Sequence, residues 1–132
     1  MTAPARNVEI LLVEDEPDLR ADLAYLLEDE GYRVRTAAHG AEALALLEGG
    51  ARPAVILLDL MMSVMDGWEI RARLRTTPAL SNIPVVILSG VANDEEEIAA
   101  LAVSAYVTKP ISVQQLCAII DRALAGNQPK VS

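Results

Sequence analysis

The stretch EILLVEDEPDL, residues 9–19, decides the fold prediction. After Glu9 it continues as an apolar run, ILLV, typical of a strand in a parallel sheet that helices cover on both faces. It then passes through three consecutive acids and reaches a proline where a helix can begin. The acids Glu14, Asp15 and Glu16 either only start that helix, where its dipole favours negative charge, or surround a positive group. Both interpretations stay open at this point.

The composition predicts one folded domain with an aliphatic core. The chain has 132 residues, of which 52% are hydrophobic and 3% aromatic, and it contains no phenylalanine. A single cysteine, Cys117, excludes an internal disulfide and a multi-cysteine metal site. With 11 basic and 19 acidic residues the formal charge is −8, which argues against direct nucleic-acid binding or attachment to an anionic membrane.

No segment predicts export or membrane insertion. The amino-terminal stretch has one arginine and a short apolar run, and it lacks the cleavage site of a signal peptide. The longest apolar run, AVILLDLMMSVM, is interrupted by Asp59 and is too short to span a bilayer. We therefore expect a cytoplasmic protein with one domain over residues 1–126 and a polar tail over residues 127–132.

Apolar strands alternate with helical patterns along the whole chain. The predicted strands cover residues 8–13, 32–36, 54–60, 84–89 and 106–108, and the predicted helices cover residues 17–30, 41–48, 68–76, 94–103 and 112–125. In the first helix one apolar face should contain Leu19, Leu23, Leu26 and Leu27. Ser112 is a good N-cap for the last helix. The alternation predicts an α/β fold, a doubly wound parallel sheet of five strands with helices on both faces.

Polar residues stand where four of the five predicted strands end. They are Glu14 and Asp15 after the first strand, Asp59 at the third, Ser89 at the fourth and Lys109 at the fifth. In an open α/β sheet the ligand crevice lies beyond the carboxyl ends of the strands, so these residues are the candidates for chemistry. His39, in the turn after the second strand, is predicted to be a surface loop residue remote from the site.

Carboxylates brought together at one edge repel each other unless a cation lies between them. Mg²⁺ prefers oxygen ligands and keeps water positions that a phosphate can take. Asp59, central in the sheet, could then attack phosphorus, with Asp15 holding the metal and with Ser89 and Lys109 stabilising the transition state. The alternative for Asp59 is a structural salt bridge to Lys109.

The sequence resembles the receiver domain of two-component response regulators, the CheY-like family, over almost its whole length. The resemblance is carried by four segments: LLVEDEP, VILLDLMMSVMDGWE, VVILSG and YVTKP. It implies that Asp59 is the phosphoacceptor and that Glu14, Asp15, Asp59 and the backbone carbonyl of Met61 bind Mg²⁺. It further implies that Ser89, Tyr106 and Lys109 stabilise the phosphoryl group and switch the protein, and that Pro110 follows a candidate cis peptide bond.

The same resemblance implies a strand order of 2-1-3-4-5 and phosphotransfer from a sensor histidine kinase or a phosphotransfer protein. Ser89 is then expected to move toward the phosphoryl group while Tyr106 turns inward. The face formed by the fourth helix, the fifth strand and the fifth helix would change its preference for a downstream protein or a covalently linked output domain. The protein would be a monomer or weak dimer, and would catalyse only its own phosphorylation and slow dephosphorylation.

Four features depart from the family pattern. Ser63 stands where a proline is usual, which predicts a looser loop and slightly weaker metal binding. Gly90 replaces an alanine beside the phosphoryl site, and the segment LAVSAY, which ends at Tyr106, is about two residues short. Met61 and Val91, at the positions that tune the lifetime of the phosphoryl group, are both apolar and cannot orient a water, which predicts slow dephosphorylation.

Three other functions were weighed. An electron carrier that binds flavin mononucleotide on this fold needs a phosphate-binding loop after the first strand, and VEDEPD would repel a phosphate. An aspartate-nucleophile phosphatase would carry a second acid two residues after Asp59, where Met61 stands. A receiver that docks partners without phosphorylation stays possible, and so do a stand-alone receiver and one excised from a larger regulator or hybrid kinase.

Overall fold

The computed structural model describes residues 8–59, 72–89, 105–108 and 112–125, with only the backbone at Asp59, Ser89 and residues 105–108. Five strands are present: β1 (Glu9–Val13), β2 (Arg33–Ala37), β3 (Val55–Asp59), β4 (Val85–Ser89) and β5 (Ala105–Thr108). Three helices have defined bounds: α1 (Pro17–Asp29), α2 (Gly40–Glu48) and α3 (Val113–Ala125). Residues 72–76 are also helical. The predicted helix over residues 94–103, like the predicted polar tail, lies outside the described residues.

The five strands form one sheet in the order β2-β1-β3-β4-β5, and every neighbouring pair is parallel. This confirms the predicted doubly wound α/β fold and its strand order. The observed strand limits differ from the predicted ones by one residue at most ends, which is normal where pairing ends gradually.

Both faces of the sheet are buried, as the unbroken apolar strands predicted. Alternate residues of β1 point to opposite faces: Leu11 and Val13 join one cluster, Ile10 and Leu12 the other. The first cluster includes side chains of α2 (Ala43, Leu44, Leu47) and Leu74 of the helical segment. The second includes Leu27 of α1 and the buried residues of α3, which are Leu116, Cys117, Ile120 and Ala123. The arrangement is three-layered, with helices on each face of the sheet.

Helix α1 ends at a glycine in the left-handed backbone region. Gly31 has φ of 102° and donates its N–H to the Glu28 carbonyl at 3.0 Å, while Tyr32 N–H reaches the Leu27 carbonyl at 3.2 Å. These two bonds form a Schellman motif, which satisfies carbonyls at the end of the helix. Because glycine adopts positive φ without steric cost, it ends the helix where the sequence predicted.

One predicted core residue of α1 is exposed. Leu27 is fully buried and Leu23 packs partly against the same cluster, but Leu26 has 42% of its surface exposed. Consecutive helix positions differ by about 100° around the axis, so a stripe centred on Leu27 leaves Leu26 at its margin. The prediction that Leu26 shares the buried face is therefore wrong.

Both α2 and α3 begin with side-chain caps. His39 is the N-cap of α2, and its Nδ1 accepts the Glu42 N–H at 3.2 Å. At α3, Ser112 Oγ accepts the Gln115 N–H at 3.1 Å, and Gln115 Oε1 accepts the Ser112 N–H at 3.1 Å, a reciprocal capping box. The prediction that Ser112 caps the last helix is confirmed. His39 is exposed as predicted, but it supplies a cap as well.

The cap at His39 predicts a measurable effect on stability. His39→Ala removes the acceptor for the Glu42 N–H and should lower the free energy of unfolding by about 1 kcal/mol. His39→Asp, which places a strong capping acceptor at the same position, should keep or raise that free energy. Urea unfolding followed by circular dichroism measures both. Equal stabilities for His39→Ala and the unaltered protein would show that the cap contributes nothing.

The helices described here are too short, or carry too few apolar residues, to cross a lipid bilayer; this holds for the described part of the chain.

Candidate functional site

The strand register places the predicted site residues along one edge of the sheet. Val13, the last residue of β1, pairs with Leu58 of β3, and Asp59, the next residue, pairs with Leu88 of β4. Glu14 follows Val13 directly, so its backbone lies one step beyond the pairing, next to Asp59. Neighbouring strands are about 4.8 Å apart, which puts the two backbones within reach of a shared ligand.

Ser89 and Tyr106 belong to the two strands on the other side of Asp59. Ser89 ends β4 and pairs with Thr108 of β5, and Tyr106 pairs with Ile87. Ser89 is therefore at the same carboxyl edge as Asp59, and Tyr106 is two residues before the end of β5. Met61, Lys109 and Pro110, which the sequence also assigns to the site, lie outside the described residues, as do Ser63, Gly90 and Val91.

Glu14 is buried and makes hydrogen bonds to Ala37, Arg20 and Glu16. It has no exposed surface, and it is the only buried charged residue in the described part of the chain. The Glu14 N–H donates to the Ala37 carbonyl of β2 at 3.0 Å, and the Glu14 carbonyl accepts from Arg20 Nη1 at 2.8 Å. Glu14 Oε2 accepts the Glu16 N–H at 3.0 Å. The residue is therefore fixed in position before any ligand binds.

The other two acids of this stretch have different environments. Glu16 is the N-cap of α1, with its Oε1 accepting the Asp18 N–H at 2.8 Å and Pro17 as the first helical residue. Asp15, between the two, is exposed. Of the two interpretations of this acidic stretch, helix initiation applies to Glu16. Asp15 and Glu14 are left as the acids that could face a cation at the sheet edge.

The donor set suits a hard divalent cation. Glu14, Asp15 and Asp59 offer carboxylate oxygens, which Mg²⁺ prefers, and they follow or end two neighbouring strands. Among the described side chains no cluster of three or more acids, histidines or cysteines has the geometry of a metal site. The predicted set also needs the side chain of Asp59, which is outside that description. Oxygen chemistry and strand position are thus the observations on which the fit to Mg²⁺ depends.

Two neighbours of the acidic turn were not assigned to the site from the sequence. Arg20, in the first turns of α1, reaches back to the Glu14 carbonyl. His39 follows β2, whose terminal carbonyl on Ala37 accepts the Glu14 N–H, so it lies at the same edge of the sheet, with β1 between its strand and β3. The sequence did contain a signal for Arg20, which lies six residues after Glu14 and within the first turn of the predicted helix. From that position a long side chain can reach back to the residues that precede the helix.

A cavity of about 260 Å³ lies at the opposite edge of the sheet. Its lining includes Leu44 and Leu47 of α2 together with Leu80, and its mouth carries Arg73, which pairs with Glu48 at 3.0 Å. The carboxyl end of α2 and the turn before β4 meet there, at the amino ends of the strands. The cavity is therefore separate from the candidate site.

A family model described as the response regulator receiver domain matches residues 10–121, most of the chain. The chain belongs to the response regulator receiver family. Receiver domains of this family take part in two-component signalling, in which a histidine kinase phosphorylates the domain in a reaction that generally uses Mg²⁺. The resemblance inferred from the sequence is confirmed.

Relatives of this receiver include whole regulators and proteins of similar size. It is 41% identical to the transcriptional regulatory protein TcrA of Mycobacterium tuberculosis over 125 residues, covering 93% of this chain and 48% of TcrA. It is 37% identical to an uncharacterized 14.6 kDa protein of Leptolyngbya boryana, covering 88% of this chain and 89% of the other. The receiver thus spans about half of TcrA and most of the smaller protein.

Solved receiver structures have the same fold. The chemotaxis response regulator CheY4 of Vibrio cholerae is 30% identical, with a TM-score of 0.78 over 93% of this chain and 99% of that one. The signal receiver domain of a histidine kinase from Syntrophus aciditrophicus is 31% identical, with a TM-score of 0.79 over 95% of this chain and 96% of that one. Receivers of this fold therefore occur both in response regulators and within histidine kinases.

Proposed function

We propose that this receiver accepts a phosphoryl group on Asp59, from a sensor histidine kinase or a phosphotransfer protein, in a reaction that requires Mg²⁺. The observation that carries the proposal is the pairing of Val13 with Leu58, because the strands that precede Glu14 and Asp15 and that contain Asp59 then end at the same edge of the sheet. Membership of the receiver family supports the same assignment.

The residues proposed to hold the metal are Glu14, Asp15, Asp59 and the backbone carbonyl of Met61. Bound Mg²⁺ would supply positive charge that offsets the carboxylates and the oxygens of the incoming phosphoryl group. Glu14 is buried and already accepts a backbone N–H, so its proposed contact to the metal runs through water. Asp15 is exposed and is the acid of the pair that can bind directly.

Asp59 is the proposed nucleophile. One of its carboxylate oxygens forms a bond to phosphorus while the bond between phosphorus and the imidazole nitrogen of the donor breaks, and the imidazole takes up a proton. Lys109 and the hydroxyl of Ser89 are proposed to stabilise negative charge on the phosphoryl oxygens. The position of Ser89 at the end of β4, the strand paired with the end of β3, supports its part in this set.

The proposed output surface includes β5 and α3. β5 is an edge strand of the sheet, and α3 buries one face on the core while Gln114, Gln115, Ala118, Asp121, Arg122 and Ala125 are exposed. Phosphorylation adds roughly −1.5 to −2 charge at Asp59. We propose that Ser89 then moves toward the phosphoryl group and that Tyr106 turns inward. As a result, one face of the protein changes its affinity for a protein target or a linked output domain. This face is formed by the predicted helix over residues 94–103, by β5 and by α3.

The remaining assignments follow from this function. The receiver domain is proposed to cover residues 1–126, with a polar tail at residues 127–132. We propose a cytoplasmic monomer or weak dimer that binds neither nucleic acid nor membrane by this domain, consistent with its formal charge of −8. It is proposed to act as a phosphoacceptor and not as an enzyme on other substrates.

Incubation with acetyl phosphate and Mg²⁺, followed by intact-mass spectrometry, tests the proposal. The unaltered protein should gain the mass of one phosphoryl group, and Asp59→Asn should gain none because an amide is a far weaker nucleophile. Removal of Mg²⁺ with a chelator should also prevent the gain.

Asp22→Asn is the matched control, because Asp22 is an exposed aspartate of α1 that the proposed site does not include. It should be labelled like the unaltered protein. Equal labelling of Asp59→Asn, or no labelling of the unaltered protein, would contradict the proposal. The second result would favour a receiver that docks partners without phosphorylation.

A further inference from the structure

Arg20 joins α1 to the acidic turn in a way that the proposed chemistry does not use. Its Nη1 donates to the Glu14 carbonyl at 2.8 Å, and its backbone N–H donates to the Glu16 carbonyl at 2.8 Å. The second bond is the ordinary i→i−4 bond of the first helical turn, so the bond to the Glu14 carbonyl is the contact that depends on the arginine side chain. The guanidinium is partly buried, so these contacts are not those of a freely solvated surface side chain.

The turn is fixed at its other groups as well. The Glu14 N–H is bound by β2 through the Ala37 carbonyl, and Glu14 Oε2 receives the Glu16 N–H. Glu16 in turn caps α1. Asp15 thus lies between two residues whose backbones are anchored to the sheet and to the helix. The guanidinium of Arg20 ties the Glu14 backbone to α1, in addition to the bond between Glu14 Oε2 and the Glu16 N–H.

We propose that Arg20 is a positioning residue for the divalent-cation site, fixing the turn of residues 14–16 so that the Asp15 carboxylate is aimed at the edge where Asp59 ends β3. The inference rests on the proposed function and extends it to a residue outside the phosphoacceptor set. Partners that orient metal ligands typically change metal affinity 10–100-fold when removed, and Arg20 acts through a backbone carbonyl.

The charge of Arg20 gives this proposal a distinctive sign. A guanidinium beside Glu14 and Asp15 repels a dication, so the loss of its charge alone would tighten Mg²⁺ binding. Loss of the positioning bond would weaken it. If orientation dominates, a variant that removes both the charge and the donor binds Mg²⁺ less well, although its site is more negative.

Metal affinity of the unphosphorylated protein is the readout. Arg20→Met keeps an unbranched apolar stem and removes the charge and the hydrogen bond. We expect its dissociation constants for Mn²⁺ and Mg²⁺ to rise about tenfold. The constant for Mn²⁺ is measured from the electron paramagnetic resonance signal of the free ion, and the constant for Mg²⁺ by competition with Mn²⁺. Arg20→Lys retains a donor and the charge, so its dissociation constants should lie between those of the unaltered protein and those of Arg20→Met.

Two controls separate positioning from general effects. Arg75→Met removes the same charge from an exposed arginine near the opposite edge of the sheet, where a turn leads to the amino end of β4. This variant should leave the affinity for Mn²⁺ and Mg²⁺ unchanged. Amide hydrogen exchange provides a readout without metal. The Glu16 N–H should exchange faster in Arg20→Met, while amides in the last turn of α1 should exchange as before.

The outcomes are distinct. Affinity of Arg20→Met equal to or tighter than that of the unaltered protein would overturn the proposal, as would an Arg20→Lys affinity no better than that of Arg20→Met. Failure of the unaltered protein to bind either ion would overturn the proposed function instead. If Arg20→Met does not fold, Arg20→Leu, which also lacks both the charge and the donor, is judged by the same affinity criterion.

Discussion

Asp15→Ala is expected to lower the affinity for Mg²⁺ by at least about tenfold, whereas Glu16→Ala should leave it nearly unchanged. The two acids are neighbours in the sequence but have different roles in the structure. Asp15 is exposed and follows β1 beside the end of β3, so its carboxylate is available to a cation. The Glu16 carboxylate is committed to the Asp18 N–H as the N-cap of α1.

Glu16→Ala should instead reduce stability, by about 0.5–2 kcal/mol, because the cap is lost. Glu16→Ser, which keeps a capping oxygen, should restore most of that loss. Calorimetric titration with Mg²⁺ and urea unfolding without metal give the two quantities separately. Equal loss of metal affinity in Asp15→Ala and Glu16→Ala would show that the stretch acts only through its total charge.

Leu27→Ala is expected to lower the free energy of unfolding by about 2–5 kcal/mol. Leu27 has no exposed surface and packs in the cluster formed by β1, β3, β4 and α3, so its truncation leaves a cavity that rigid neighbours fill only in part. Since domains of this size are stable by about 5–15 kcal/mol, the loss is a large share of the total.

Leu26→Ala is the matched control, one position away on the same helix and with the same change in helix propensity. Leu26 is 42% exposed, so the variant should lose no more than about 1 kcal/mol. Urea unfolding of the two variants measures the difference. Similar losses would mean that the burial seen at Leu27 does not control the stability of α1.

The fold could be predicted because its signals are local and repeated. An apolar run such as VILLD, the residues of β3, and the helical spacing of Leu116, Cys117 and Ile120 each point to the same three-layer arrangement. Leu26 shows where this reasoning failed. Helical spacing identifies an apolar face, but its width depends on the neighbouring elements, and the sheet covers Leu27 more fully than Leu26.

The candidate site was predicted as a set of residue types at strand ends, and the strand order brings Glu14 next to Asp59 in the backbone. The division of labour among the three acids could not be predicted in the same way. The different environments of the three acids depend on the hydrogen bonds that Glu14 makes to Ala37 and Arg20. Ala37 is distant in the sequence, and Arg20 reaches Glu14 only because α1 has formed.

The alternation of strands and helices, the family, and the residue types at the ends of strands could all be read from the amino-acid order, because periodicity and short motifs involve neighbouring positions. The burial of Glu14, the exposure of Asp15 and the position of His39 at the same edge of the sheet became evident only from the folded chain. The physical reason is that burial and hydrogen-bond partners are set by segments far apart in the chain, which no local pattern specifies.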